Sequence, residues 1–317
     1  MNKYRDALLG VAIGDALGVP VEFMSREAIA AEPVTGMREY GTHKQPMGTW
    51  SDDSALTFCL AESLTAGFNI ERIGKSFERW LYDRWWTPHG KVFDIGNATR
   101  AAIDRIAQGV AAESAGPTDE NAQGNGSLMR ILPLVFYTHD KPINERWDIA
   151  RRVSNVTHGH IHCAISCFIY LEIARKYFLS QEAVPFADVY ASMCKEVSQW
   201  TSLPSTVNAS GKFARILSGE LLKVDRNSIR SSGYVIDTLE ASIWCMGNSS
   251  SYEEAVLKAV NLGDDTDTTG AVVGGLAGLQ YGIEQAPSEW LSCLVRRWDI
   301  EDLAERLKAA MEARQFA

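Results

Sequence analysis

Apolar residues recur with a period near 3.6 through almost the whole chain, and alternating runs of strand length are absent. Residues 2–17 carry the repeat as Leu8, Leu9, Ala12, Ile13, Ala16 and Leu17, a spacing that puts an apolar face on a helix. The same pattern predicts helices over 54–66, 71–86, 96–111, 143–155, 160–177, 182–199, 210–220, 233–246, 251–260, 268–280 and 299–313. The fold class is therefore all-α. No low-complexity or Pro/Ser-rich linker divides the 317 residues, so one domain over 1–317 is expected. A chain of this size can bury roughly three quarters of its unfolded surface in one core.

The connections are less ordinary than the helices. Segments 19–52, 87–95, 112–134 and 201–210 are long and rich in glycine or polar residues. Loops of that length inside a helical domain are often functional. Gly10, Gly14 and Gly18 repeat every four residues, and Gly270, Gly274, Gly275 and Gly278 do something similar late in the chain. Both stripes predict close helix–helix packing. Trp80, Trp85 and Trp86 are read as helix-packing residues.

Two acidic clusters each open a small-residue helix. Ser51-Asp52-Asp53 precedes one, and Asp264-Asp265-Thr266-Asp267-Thr268 precedes the other about 210 residues later. Helix capping explains each cluster alone, because Ser, Asp and Thr accept bonds from first-turn N–H groups and acids suit the positive end of the helix dipole. Capping needs only one oxygen, however, and crowded carboxylates repel. A divalent cation relieves that repulsion. Carboxylate and hydroxyl ligands without nearby histidine or cysteine suit magnesium, manganese or calcium rather than zinc. Two ions fit if the clusters face one another. Glu22, between Val21 and Phe23, is either a surface acid or one turned towards such a site. Asp15, amid Gly14 and Ala16, is expected either to make an internal bond or to support the metal ligands from behind.

Other signals are weaker. Gly124-Asn125-Gly126-Ser127 is either a turn or an anion-binding loop before a helix, and Arg130 just after it is read as an anion contact or an ion-pair partner. It matches neither the P-loop nor the dinucleotide fingerprint. His158 and His162 in HGHIH have i,i+4 spacing that a zinc ion could use, but a substrate contact from His158 is favoured. Tyr234 lies at a helix start, packed in the core or lining a cleft. No GxSxG elbow occurs.

Composition narrows the partners. The net charge of −9 disfavours a generic nucleic-acid or anionic-membrane surface. Six cysteines include no CxxC pair, so reduced, buried thiols and a cytoplasmic setting are expected. Asp15 interrupts the N-terminal apolar stretch, which argues against a secretory leader. The apolar run near 268–282 is shorter than the roughly 20 residues of a membrane span. No heptad or repeat demands assembly, so a monomer is favoured.

At these residues the chain resembles the ADP-ribosylglycohydrolase family, and within it the bacterial arginine-directed branch that acts on dinitrogenase reductase. The blocks are GDALGVPVEFM (14–24), WSDDSALTFCLAESL (50–64), DIGNATR (94–100) and GNGSLMRILPL (124–134). THGH (157–160), GYVIDTLEA (233–241) and NLGDDTDTTGAVVGGLAGLQYG (261–282) complete the set. They span nearly the whole chain. The resemblance implies a compact orthogonal helical domain with two Mg2+ or Mn2+ ions in a cleft. It implies Ser51, Asp52, Asp53, Asp265, Asp267 and Thr268 as metal ligands, with Asp52, Asp53 and Asp265 also catalytic. Glu22 would be a ligand or catalytic acid/base, and Asp94 the acid facing arginine. Gly124, Asn125, Gly126 and Ser127 would surround the diphosphate, His158 the nucleotide side and Tyr234 the substrate entrance. The implied substrate is a protein mono-ADP-ribosylated on arginine, and the product ADP-ribose. Hydrolysis of another ADP-ribosyl linkage, or capture by occlusion, remains the alternative. Asp264 departs from the nitrogenase-type motif, which has glycine there.

Overall fold

The computed structural model describes residues 2–201 and 211–314. Among them are fifteen α-helices and no strand; the extended pairing is limited to two isolated bridges, Tyr40–Gln45 and Gly124–Tyr234. The helices are α1 (Lys3–Gly18), α2 (Arg26–Ala31), α3 (Asp52–Thr65), α4 (Ile70–Asp83), α5 (Asn97–Ala107), α6 (Leu134–Thr138), α7 (Ile143–Asn155) and α8 (Ile161–Leu179). Then follow α9 (Phe186–Thr201), α10 (Ala214–Leu217), α11 (Val235–Gly247), α12 (Tyr252–Val260), α13 (Thr266–Tyr281), α14 (Ser288–Cys293) and α15 (Arg297–Arg314).

Helices α1 and α13 form the centre. Every residue from Asp6 to Gly18 of α1, and from Thr266 to Leu279 of α13, is buried. A helix covered all round is a core helix, which explains why these two lack a polar face. Their glycines let them touch backbone to backbone. A Cβ on Gly14 would lie 1.9 Å from the Gly270 carbonyl oxygen, and one on Gly18 would lie 2.3 Å from Asp267 Cα. The second contact seats the acidic start of α13 against the end of α1, directly before Glu22.

The start of α3 is tied to the same helix. The buried Asp15 carboxylate accepts the Ser51 N–H at 2.9 and 3.0 Å, the Ser54 N–H at 3.0 Å and the Ser54 hydroxyl at 2.6 Å. Asp15 thus satisfies donors that a helix N-terminus leaves open. Two acid clusters distant in sequence are brought to one end of α1. The peripheral helices show the ordinary amphipathic pattern: α4 buries Ile70, Ile73, Phe77 and Trp80.

Two of the expected helices end differently, and three short ones were not expected. The helix expected over 71–86 ends at Asp83 because Arg84 turns left-handed at φ 62°. Trp85 and Trp86 consequently pack from a loop, under Arg79 and Arg296 at 4.1 and 4.6 Å. The helix expected over 210–220 contracts to a 3-10 turn at Gly211–Phe213 and the single turn of α10. The short helices α2, α6 and α14 lie in stretches whose apolar pattern is too brief to read. The expected connection 201–210 lies, apart from Thr201, outside the described residues. All six cysteines are free, five of them buried. No helix among the described residues is long and apolar enough to cross a membrane.

Candidate active site

The starts of α3 and α13 and the loops around Glu22, Asp94 and Gly124 enclose a cleft of about 350 Å³. Glu22, Asp52, Asp53, Asp94, Asp265 and Thr268 all line it, and among the described residues no lysine or arginine does. Single carboxylate oxygens of Glu22, Asp94 and Asp267, with one ring nitrogen of His43, lie within 4.8 Å of one another.

Ser51 caps α3, its hydroxyl accepting the Asp53 N–H at 3.3 Å and donating to Asp53 Oδ2 at 3.1 Å. Capping therefore accounts for Ser51. It does not account for Asp265, which holds the N-cap position of α13 without a side-chain capping bond. Asp265 Oδ2 instead accepts from Asn125 Nδ2 at 2.8 Å. Asp53 Oδ1, Asp265 Oδ1 and Asp267 Oδ2 are buried with no partner. A lone buried carboxylate oxygen is costly; three around one cleft are what a hard divalent cation would satisfy. The electrostatics agree. Burial first, then neighbouring carboxylates, hold Asp52, Asp53 and Asp267 well above the usual carboxylate range. Asp265 is raised mainly by burial, although its bond from Asn125 pulls the other way.

Glu22 is 5% exposed and its pKa is pushed up to about 7 by burial, against the pull of a short contact with His43 Nε2. The repulsion from Asp94 and Asp265 adds to the rise. His43 answers with a raised pKa, chiefly through that bond to Glu22. Sequence reading missed His43: it is a lone histidine in a long loop, and only the loop's length hinted at a role.

The opposite partner set is neutral. His158 is buried beside Gly124 and Gly126, where a Cβ would approach its ring at 3.4 and 2.7 Å. Arg130 Nη2 donates to Thr157 Oγ1 at 2.5 Å, and Thr157 Oγ1 lies 2.9 Å from His158 Nδ1. Thr157 Oγ1 thus accepts from Arg130 and bonds His158 Nδ1, which leaves Nε2 on the glycine side. Burial, with Arg130 nearby, pushes the His158 pKa down to about 3, so the ring stays neutral at ordinary pH. Arg130 is itself fully buried, stacked on Phe77 at 4.6 Å, and pairs with no carboxylate among the described residues. The ion-pair reading of Arg130 is thereby replaced by one in which it supports Thr157 and His158.

The other expected site residues divide. Gly124, Asn125 and Gly126 line the cleft. The Asn125 amide, however, bonds Thr238 and Asp265, and its backbone N–H bonds the Gly233 carbonyl. Ser127 lies behind the cleft wall, fully buried, taking bonds from the Ser154 hydroxyl at 3.0 Å and the Cys167 thiol at 3.4 Å. Tyr234 lines an adjoining depression with Gln123, His162 and Lys212. The three histidines of HGHIH take separate partners: His158 Thr157, His160 the His162 N–H, and His162 Gln123. They do not converge as zinc ligands would.

Comparison with known proteins follows the same line. The family described as ADP-ribosylglycohydrolase matches residues 1–316. The chain is 33% identical over 310 residues to "ADP-ribosylarginine hydrolase Tri1" of Pseudomonas putida, covering 97% of this chain and 78% of that one. It is 30% identical over 305 residues to "ADP-ribosyl-[dinitrogen reductase] glycohydrolase" of Rhodospirillum rubrum, with 92% and 90% covered. A solved structure titled "ADP-ribosylglycohydrolase-related protein complex" superposes with a TM-score of 0.80 at 31% identity, over 98% of each chain. On these grounds the chain belongs to the ADP-ribosylglycohydrolase family.

Proposed function

We propose that this chain is a metal-dependent hydrolase that releases ADP-ribose from arginine in mono-ADP-ribosylated proteins. The supporting observation is the set of buried carboxylates with partnerless oxygens at one end of a cleft whose other side carries a buried, neutral histidine. Ser51, Asp52, Asp53, Asp265, Asp267 and Thr268 would hold two Mg2+ or Mn2+ ions. When bound, such ions neutralise the acids and supply Lewis acidity beside the ribose.

The chain's own residues do the rest. Gly124 and Gly126 leave room for the diphosphate, and His158 presents Nε2 there. Tyr234, next along the wall, would meet the outer part of the nucleotide. Asp94 faces the guanidine of the modified arginine, which a carboxylate can bind in two-point fashion. In hydrolysis the C1″–N bond breaks and a water oxygen joins C1″. One water proton stays on the new hydroxyl and the other must reach the departing guanidine. Glu22, with its pKa about 7, is suited to carry that proton near neutral pH. The chain acts in this reading as one domain and as a cytoplasmic monomer.

The test is release of free ADP-ribose from arginine-modified protein with Mg2+ or Mn2+, and then with EDTA. Serine-linked substrate runs alongside, with Asp52→Asn and Asp265→Asn as controls. Metal-dependent release from arginine, lost in both variants, is the expected result. Release from serine alone would move the chain to another linkage, and binding without turnover on either would replace hydrolysis with capture.

A further inference from the structure

Two acid–aromatic pairs flank the cleft: Glu22 is followed by Phe23, and Asp94 is preceded by Phe93. His43 stands between the two rings, 6.0 Å from Phe23 and 5.4 Å from Phe93 by centroid. Phe23 lines the cleft and is 68% exposed. It also sits at φ 64°, and Asp94 at φ 51°; both are backbone conformations that side chains other than glycine rarely adopt. The Phe23 N–H is held by the Asp264 carbonyl at 2.7 Å, and the Asp264 N–H by Met24 at 2.8 Å, with Asp264 itself at φ 60°. Two hydrogen-bonded positive-φ residues, Phe23 and Asp264, thus fix the backbone that carries this ring at the cleft.

Folding does not explain that ring. Phe23 covers little of the core and keeps most of its surface in water. Backbone strain concentrated on an exposed side chain points to a ligand. The ligand's chemistry follows from the surroundings. Apart from the acids that would hold the ions, Glu22 and Asp94 line this side, and among the described residues no lysine or arginine does, so the part of the substrate that rests here is suited to carry positive charge. An aromatic face beside carboxylates suits a flat, delocalised cation on an apolar stem.

We propose that Phe23, backed by His43 and Phe93, is the seat for the guanidinium and methylene stem of the ADP-ribosylated arginine, and so selects arginine over hydroxyl-linked substrates. This deepens the functional reading above and rests on it. A serine linkage offers neither a flat cation nor a stem to lie on the ring.

The experiment compares Phe23→Ala, Phe23→Leu and Phe23→Tyr with wild type in the Mg2+-loaded protein. KM and kcat are measured on an arginine-ADP-ribosylated peptide, and ADP-ribose affinity by calorimetry. The Ala and Leu variants should raise KM about tenfold, or about 1.4 kcal/mol. Their kcat should stay within about twofold and their ADP-ribose affinity should not change; Tyr should keep the wild-type KM. An unchanged KM in Phe23→Ala overturns the proposal. So does full rescue by Leu, which would make bulk sufficient, or a parallel loss of ADP-ribose affinity, which would place the ring on the nucleotide. Phe23→Gly separates function from structure: relief of the positive φ should leave the melting temperature at or above wild type while KM still rises, and a lower melting temperature would mark a structural residue. If the wild type does not turn over arginine substrate, the functional reading fails separately. Agmatine binding to the ADP-ribose-loaded protein then decides the seat: loss in Phe23→Ala upholds it, and equal binding refutes it.

Discussion

Gly14→Ala should be the most damaging single-methyl addition in the centre of the fold. The new Cβ would meet the Gly270 carbonyl oxygen at 1.9 Å and its carbon at 2.5 Å. Both atoms are backbone of a neighbouring helix, so no rotamer change clears them. Ordinary contact begins near 3.4 Å, which requires α1 and α13 to part by about 1.5 Å at that point, enough to forfeit much of the dispersion along the seam. Overpacking typically costs ~1–3 kcal/mol, and a backbone obstacle belongs at or beyond the upper end. Alanine returns about 1 kcal/mol of helix propensity. A net loss of roughly 2–3 kcal/mol remains, or a fall in melting temperature of roughly 4 °C for a chain of this size. Thermal unfolding followed by circular dichroism measures it. Gly211→Ala, with nothing within 4 Å of its added Cβ, is the control and should stay within ~0.5 kcal/mol. The seam also sets Asp267 beside Glu22, so ADP-ribose release should fall more steeply than stability. A Gly14→Ala protein as stable as wild type would refute the backbone-contact reasoning.

Three further outcomes follow from the site. Thr157→Val removes the hydroxyl that bonds His158 Nδ1 and should weaken ADP-ribose binding about tenfold, while Thr157→Ser keeps it; calorimetry reads the affinity, and nitrogen NMR of His158 should show one ring tautomer held only where the hydroxyl is present. Without divalent metal, the folded protein holds its acid protons more tightly than the unfolded chain, since Glu22 rises from 4.5 to about 7 and Asp52, Asp53 and Asp267 also rise well above the usual carboxylate range. Stability should therefore decline as pH climbs from about 4.5 to 7 or beyond, by on the order of a few kcal/mol, and Mg2+ or Mn2+ should flatten the trend; a metal-free melting temperature that rises over this range would contradict it. Asp53→Asn removes one buried charge and should raise the metal-free melting temperature by a few degrees while abolishing the stabilisation gained on adding metal, as read by thermal shift.

Much of the architecture is written locally. The 3.6-residue apolar period set the all-helical class, and the two glycine stripes announced close packing by each helix, though not that α1 and α13 pack on one another. Helical spacing is a property of neighbouring residues, so it survives without knowledge of the fold. The local signal failed where the backbone turned left-handed at Arg84, because nothing in ERWLYDRWW forbids another helical turn. The acid pairs at 52–53 and 265–267 were visible as more than caps, since capping needs fewer oxygens than those clusters offer.

Local sequence reveals which chemical groups the protein has and which helix starts and loops carry them. How those groups face one another is set by packing. It set His43 on Glu22, buried Ser127 behind the cleft wall, engaged the Asn125 amide with Thr238 and Asp265, and linked Arg130 through Thr157 to His158. Those pairings join residues from separate loops and helices. No local pattern encodes them, because each depends on the burial and close approach that arise once α1, α3 and α13 have packed.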